Sequence, residues 1–188
     1  MPLDYQTVAL PELKRDIASV TREIKSAFGG LRVDQLNWKP QAEQWSIAQC
    51  LEHLLISNQQ YEPLLDRLIH GQHLPSFWES VPLVPRVFGW LLIRSFTVAH
   101  KRKAPPGNQP TRSAIAPDIV ARFVSNQHDF LLRLEALAEF DLGNIIVTSP
   151  FVRVVTYSVL DLFRLSAAHY RRHLAQALRV RQAPNFPQ

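Results

Sequence analysis

The chain has 188 residues, 46% hydrophobic and 20% charged, with 21 basic and 16 acidic residues giving a net charge of +5 and a sequence pI near 9.7. This length and ordinary globular usage predict one domain over 1–188 with a sizeable core, and exclude a disordered or collagen-like chain. The single cysteine, Cys50, precludes an intrachain disulfide and fits a reducing compartment.

The first helix is predicted from Pro11 to about Phe28, where Leu13, Ile17, Val20, Ile24 and Phe28 recur at helical spacing and Gly29-Gly30 ends it. A connector over 31–44 follows, with Leu36 and Trp38 expected to pack on the end of the helices. The second helix opens at Ser46. Ser46 and Gln49 have capping-box spacing, and Trp45 with Cys50 has that of a hydrophobic staple. Its core stripe is Ile47, Leu51, Leu54, Leu65 and Leu68; it runs to about His70, with Pro63 a kink-prone position.

Residues 72–113 hold prolines 75, 82, 85, 105, 106 and 110, enclose a short apolar helix at about 84–98, and read Pro105-Pro106-Gly107-Asn108 as a loop. The third long helix is expected from about Pro117 to Phe140, with Ile119, Phe123, Phe130, Leu134 and Leu137 inward. A loop over 141–151 leads to the fourth, about Val154 to Arg181, and the tail from Pro184 is expected to fray. The pieces that would build a sheet are missing, and Ile145-Ile146-Val147 is too short and isolated to be more than an edge. Four long amphipathic helices with one long crossover between the second and third predict an all-α four-helix bundle.

Three histidines carry the chemistry. His169 and His173 lie four apart, on one face and one turn from each other. Advancing about 100° per residue puts Val159, Leu162, Phe163, Ser166, Tyr170, Ala177 and Val180 in one stripe containing His173, with His169 at its margin. Asp161, Arg164, Arg171, Arg172 and Arg179 fall on the opposite face. Two buried imidazoles need partners for their ring nitrogens, which a divalent metal or hydrogen bonds supply. His53, upstream near the start of the second helix, completes a three-histidine site only if the second and fourth helices are neighbours. The residues between His169 and His173 are Tyr170, Arg171 and Arg172, so the glutamate base of His-Glu-x-x-His peptidases is missing.

Other candidates are weaker. Cys50 fits the apolar stripe; Glu52 and Asp161 are expected to face solvent; Tyr170, between the two histidines, is the best acid–base candidate, though packing explains it as well. His70, His73, His100 and His128 have no metal-like spacing, and neither a Gly-x-Ser-x-Gly elbow nor a phosphate-cradling glycine loop occurs. The N-terminus lacks a signal-peptide pattern, and Arg86 and Arg94 interrupt the most apolar stretch, 81–99, leaving it too short to span a bilayer. A cytoplasmic protein without a transmembrane segment is expected. The Lys101-Arg102-Lys103 cluster reads as solvated surface, with no specific nucleic-acid partner; attachment to a membrane surface through the basic, aromatic middle segment is a further possibility.

Two motifs resemble the DinB/YfiT-like superfamily, in its DinB-like group. Trp45-Ser46-Ile47-Ala48-Gln49-Cys50-Leu51-Glu52-His53-Leu54 is similar to the element opening its second helix. Ser158-Val159-Leu160-Asp161-Leu162 with His169-Tyr170-Arg171-Arg172-His173-Leu174 is similar to its closing helix. The order of elements agrees over about residues 10–181. The resemblance implies a four-helix bundle of up-down-down-up order and a divalent metal, nickel or zinc, held by His53, His169 and His173. It also implies a homodimer and a small-molecule substrate, with thiol S-transfer using a low-molecular-weight thiol, or hydrolysis, as the reaction. Trp78, Phe88, Trp90 and Phe96, with Arg86 and Arg94, are candidates to cap the site and shape a substrate pocket, or else form a plain hydrophobic lid. The alternative to an enzyme is a helical binding protein whose metal is structural or absent.

Overall fold

A computed structural model describes residues 3–81, 83–97, 106–111 and 114–188. Its elements in chain order are α1 (Leu10–Phe28), α2 (Val33–Asn37), α3 (Ile47–Ile69), α4 (Val84–Thr97), α5 (Ile119–Ala136), β1 (Ile146–Thr148), β2 (Thr156–Ser158) and α6 (Val159–Arg181). Short 3-10 turns lie at Phe77–Ser80 and Pro106–Asn108. The Lys101-Arg102-Lys103 cluster and His100 lie outside the described residues.

The four long helices pack as a closed ring: α1 against α5 and α6, and α3 against the same two. Their fully enclosed side chains include Leu13, Ile17, Ile24, Phe28, Ile47, Leu51, Phe123, Phe130 and Phe163. α3 starts where its capping box predicts. Ser46 Oγ accepts from Gln49 N at 3.1 Å and Gln49 Oε1 from Ser46 N at 3.2 Å. Pro63 sits inside α3, which continues through it and stops before Gly71, whose φ of +65° suits glycine.

Four expectations are corrected. Residues 146–148 do pair, antiparallel with 156–158, Val147 opposite Tyr157. The β-branched and aromatic run Val154-Val155-Thr156-Tyr157 favours a strand, so α6 starts only at Val159, capped by Ser158 Oγ accepting from Asp161 N at 3.0 Å. α5 ends at Ala136 rather than Phe140, and residues 137–145 turn toward the hairpin. The tail does not fray. Gln35 Nε2 donates to the Pro187 carbonyl at 3.1 Å, and Phe186 sets its ring edge-on to Trp38 at 5.6 Å.

α6 is enclosed on more than its predicted stripe. Leu165, Ala167, Ala168 and Leu174 are buried too, because α4 packs along one side of α6 while α1 and α3 take the others. Two of the arginines placed on its outer face are accordingly engaged. Arg164 donates to the Val8 carbonyl at 3.0 Å, and Arg171 Nε to Asp16 Oδ1 at 2.8 Å.

Candidate metal centre

His53 lies two turns into α3 and His169 and His173 lie midway along α6; the packing of α3 against α6 brings the three rings together. All three are buried, and one ring nitrogen from each falls within 4.8 Å of the others. His53 Nε2 and His169 Nε2 are 3.0 Å apart, and the three ring centroids are separated by 4.7 to 4.9 Å. A divalent ion at about 2.0–2.1 Å from each imidazole nitrogen puts two ligands roughly 3–4 Å apart, so the cluster needs only a small contraction to hold one.

Hydrogen bonding orients the cluster. His53 Nδ1 stands 2.6 Å from the Asn108 carbonyl oxygen, an acceptor only, so Nδ1 carries the proton and Nε2 keeps its lone pair toward the other rings. Asn108 is itself fixed: its Nδ2 donates to Ser57 Oγ at 2.9 Å, and Ser57 Oγ donates to the His53 carbonyl at 2.8 Å, one turn along α3. His173 Nδ1 is buried and has no hydrogen-bond partner among the described residues. A buried imidazole nitrogen left unpaired costs about 1–3 kcal/mol. Hydrogen bonds among the described residues thus leave the trio incompletely satisfied, which fits a divalent ion held between the rings.

Burial, ahead of the neighbouring His173 and His53 rings and the Arg172 charge, holds His169 well below the usual histidine range. Burial likewise holds His173 well down, with His53 and Arg172 adding to it. Burial lowers His53 as well, against the opposing pull of the Asn108 carbonyl. All three imidazoles are therefore neutral near pH 7, the form that binds metal.

Aromatic rings wall the cluster. Trp45 stacks on His173 at 5.7 Å and leans on His53 at 4.9 Å, and Phe96 of α4 meets His169 edge-on at 4.8 Å. Of the proposed capping residues, Phe96 alone is seen against the histidines. Trp90 and Arg94 stand outward on α4, the guanidinium 5.5 Å from the indole centroid, because steps of 100° turn positions 89, 93 and 96 inward instead. Trp78 lines a separate cleft of about 550 Å³ with Arg67, His73 and Arg153 beyond the far end of α3. Another cleft, about 500 Å³, lies between α1 and α6; neither touches the histidines.

The remaining candidates sit elsewhere. Tyr170 is buried, and its hydroxyl donates to Asn58 Oδ1 at 2.6 Å; burial pushes the phenol well up, so it stays protonated. Cys50 is fully enclosed in the core, where burial pushes its thiol up to about 12. Contrary to expectation, Glu52 and Asp161 are only half exposed: Glu52 Oε2 accepts from Thr111 N at 2.6 Å, and Asp161 pairs with Arg164 at 3.2 Å. Asn108 and Ser57 escaped sequence reasoning. Ser57 carried a signal, since it stands one turn beyond His53, whereas nothing local marks Asn108.

No helix among the described residues is long and apolar enough to cross a membrane. No curated protein and no solved structure matches the chain. The family model described as the DinB superfamily matches residues 17–177, spanning the capped start of α3, His53 and both α6 histidines, and the chain belongs to that superfamily.

Proposed function

We propose that this protein is a metal-dependent enzyme in which His53, His169 and His173 hold one divalent ion, nickel or zinc, and that it acts on a small molecule by thiol S-transfer or by hydrolysis. The carrying observation is the set of three buried imidazoles with one ring nitrogen from each within 4.8 Å of the others, one left unpaired at Nδ1 among the described residues and one fixed with its Nε2 lone pair inward. The same proposal takes residues 1–188 as one cytoplasmic domain, a four-helix bundle of up-down-down-up order that forms a homodimer.

A divalent ion held by His53, His169 and His173 would supply Lewis-acid polarisation and would lower the pKa of a water or thiol. The chain's own residues set up the site. The Asn108 carbonyl holds the proton on His53 Nδ1, Trp45 and Phe96 exclude water from the imidazole faces, and the Arg172 charge opposes imidazolium formation. Tyr170, bonded to Asn58, fixes α6 against α3 and keeps the two histidine-bearing helices in register. Three histidines leave coordination positions for a substrate, unlike a closed structural site. A non-enzymatic helical binding protein whose metal is structural or absent is the rival reading; the His173 Nδ1 left unpaired among the described residues speaks against its metal-free form.

Elemental analysis of tag-free protein after gel filtration, beside the His169→Ala/His173→Ala variant, tests the proposal. Near one ion per chain, lost in a variant that keeps its helical circular dichroism, is the expected result. Protein that takes up no zinc, nickel or manganese overturns it.

A further inference from the structure

The net positive charge of the chain is concentrated in one stretch. Residues 80–117 contain six Lys or Arg and no Asp or Glu, while the rest, with 15 basic and 16 acidic residues, is net −1. α4 lies in this stretch, and its two faces are unlike those of an ordinary surface helix. The inner face buries Pro85, Gly89 and Ile93 and sets Phe96 on His169. The Asp161 carboxylate meets this inner face under Gly89 and pairs with Arg164.

The outer face should be polar. Instead Leu83, Val87, Trp90 and Leu91 expose 72%, 54%, 49% and 47% of their surface, one turn after another along the helix, and the charges beside them are Arg86 and Arg94. Apolar and indole side chains between arginines, in a stretch of sequence without Asp or Glu, is the composition of a helix lying in a membrane interface.

We propose that the outer face of α4 docks on an anionic lipid bilayer. Its charge is complementary to such a surface, and its apolar residues enter the headgroup boundary. A second copy of the chain fits the face less well. A two-fold pairing of α4 on α4 sets Arg86 and Arg94 against the same cations of the partner. Docking would lay the site's covering helix on the bilayer with Phe96 and the histidines beneath it.

Co-sedimentation with vesicles of phosphatidylcholine alone and of phosphatidylcholine mixed with phosphatidylglycerol tests this. The protein is expected to pellet with the anionic vesicles only, and less at high salt. Arg86→Gln/Arg94→Gln, both exposed positions, should weaken partitioning about 30-fold, and Val87→Ser/Leu91→Ser should abolish it with helical circular dichroism kept. Failure of the folded protein to pellet with anionic vesicles, or equal pelleting of the arginine variant, overturns the proposal. It is overturned equally if Val87→Ser/Leu91→Ser turns a dimer into a monomer in lipid-free sedimentation equilibrium, which assigns the face to a second copy.

Discussion

The Nε2 atoms of His53 and His169 stand 3.0 Å apart across the α3–α6 contact, although 116 positions separate the residues in the chain. A second proton on either ring puts a cation beside a neutral ring in a site sealed by Trp45 and Phe96. The metal-free protein should therefore be sensitive to acid. The folded-state pKa of each histidine is depressed, so the unfolded chain takes up protons first as pH falls through its ordinary value of about 6.5. Stability is fully present above that pH. It falls below it by up to about 1.4 kcal/mol per pH unit for each histidine. Urea titrations of chelator-treated protein at pH 7 and pH 5.5 should show the loss, and His169→Ala/His173→Ala should flatten it. A midpoint independent of pH in this window would show that the histidines titrate normally.

Asn108 acts on the site through His53. Its side chain, bonded to Ser57 Oγ, holds the carbonyl that fixes the His53 tautomer. Asn108→Ala keeps that carbonyl but frees the turn bearing it. Loss of such a support lowers metal affinity by about 10–100-fold. Competition with a chromophoric chelator should detect this weakening at unchanged helical content, and Ser57→Ala should repeat part of it.

These supports mark where sequence legibility ended. The helices, the Ser46–Gln49 cap and the three histidines were visible because each depends on spacing within one helix, or on motifs that place His53 opposite His169 and His173. Asn108 was hidden because it reaches His53 through its backbone carbonyl, and a carbonyl leaves no residue-type signature. The hairpin was hidden because each strand is three residues long and 146–148 finds its partner only after a seven-residue turn region. The enclosure of α6 was underestimated for a related reason. A single stripe describes a helix buried on one side, whereas α4, a helix the sequence does predict at about 84–98, covers a second side that no periodicity within α6 records.

Tyr170 separates a structural part from a chemical one. Its hydroxyl donates to Asn58, whose Nδ2 donates to Asn126 Oδ1 at 2.7 Å, joining α6, α3 and α5 in one buried chain of bonds. Tyr170→Phe keeps the ring contacts with Phe123 and Phe130 and strands the Asn58 carbonyl. The expected cost is about 1–3 kcal/mol in stability, read by chemical denaturation, with metal content unchanged. A folded, fully metal-loaded variant with wild-type stability but no turnover would instead give the hydroxyl a role in the reaction.

The opposite face of α6 is held by Arg171, between the two histidines. Its Nε donates to Asp16 at 2.8 Å, its Nη1 to Glu23 at 2.7 Å, and Tyr5 donates to Asp16 Oδ2 at 2.6 Å. Asp16 is buried and Arg171 about one-third exposed, so the two substitutions differ in consequence. Arg171→Ala leaves a buried carboxylate with only a tyrosine hydroxyl and should cost about 2–4 kcal/mol. Asp16→Ala leaves a guanidinium that still reaches water and Glu23, and should cost less. In the double variant the uncompensated carboxylate is gone, so its loss should be smaller than the sum of the single ones. A thermal-melting double-mutant cycle measures this coupling. Strict additivity would mean that Arg171 anchors α6 to α1 through packing of its aliphatic stem, with the ion pair contributing nothing.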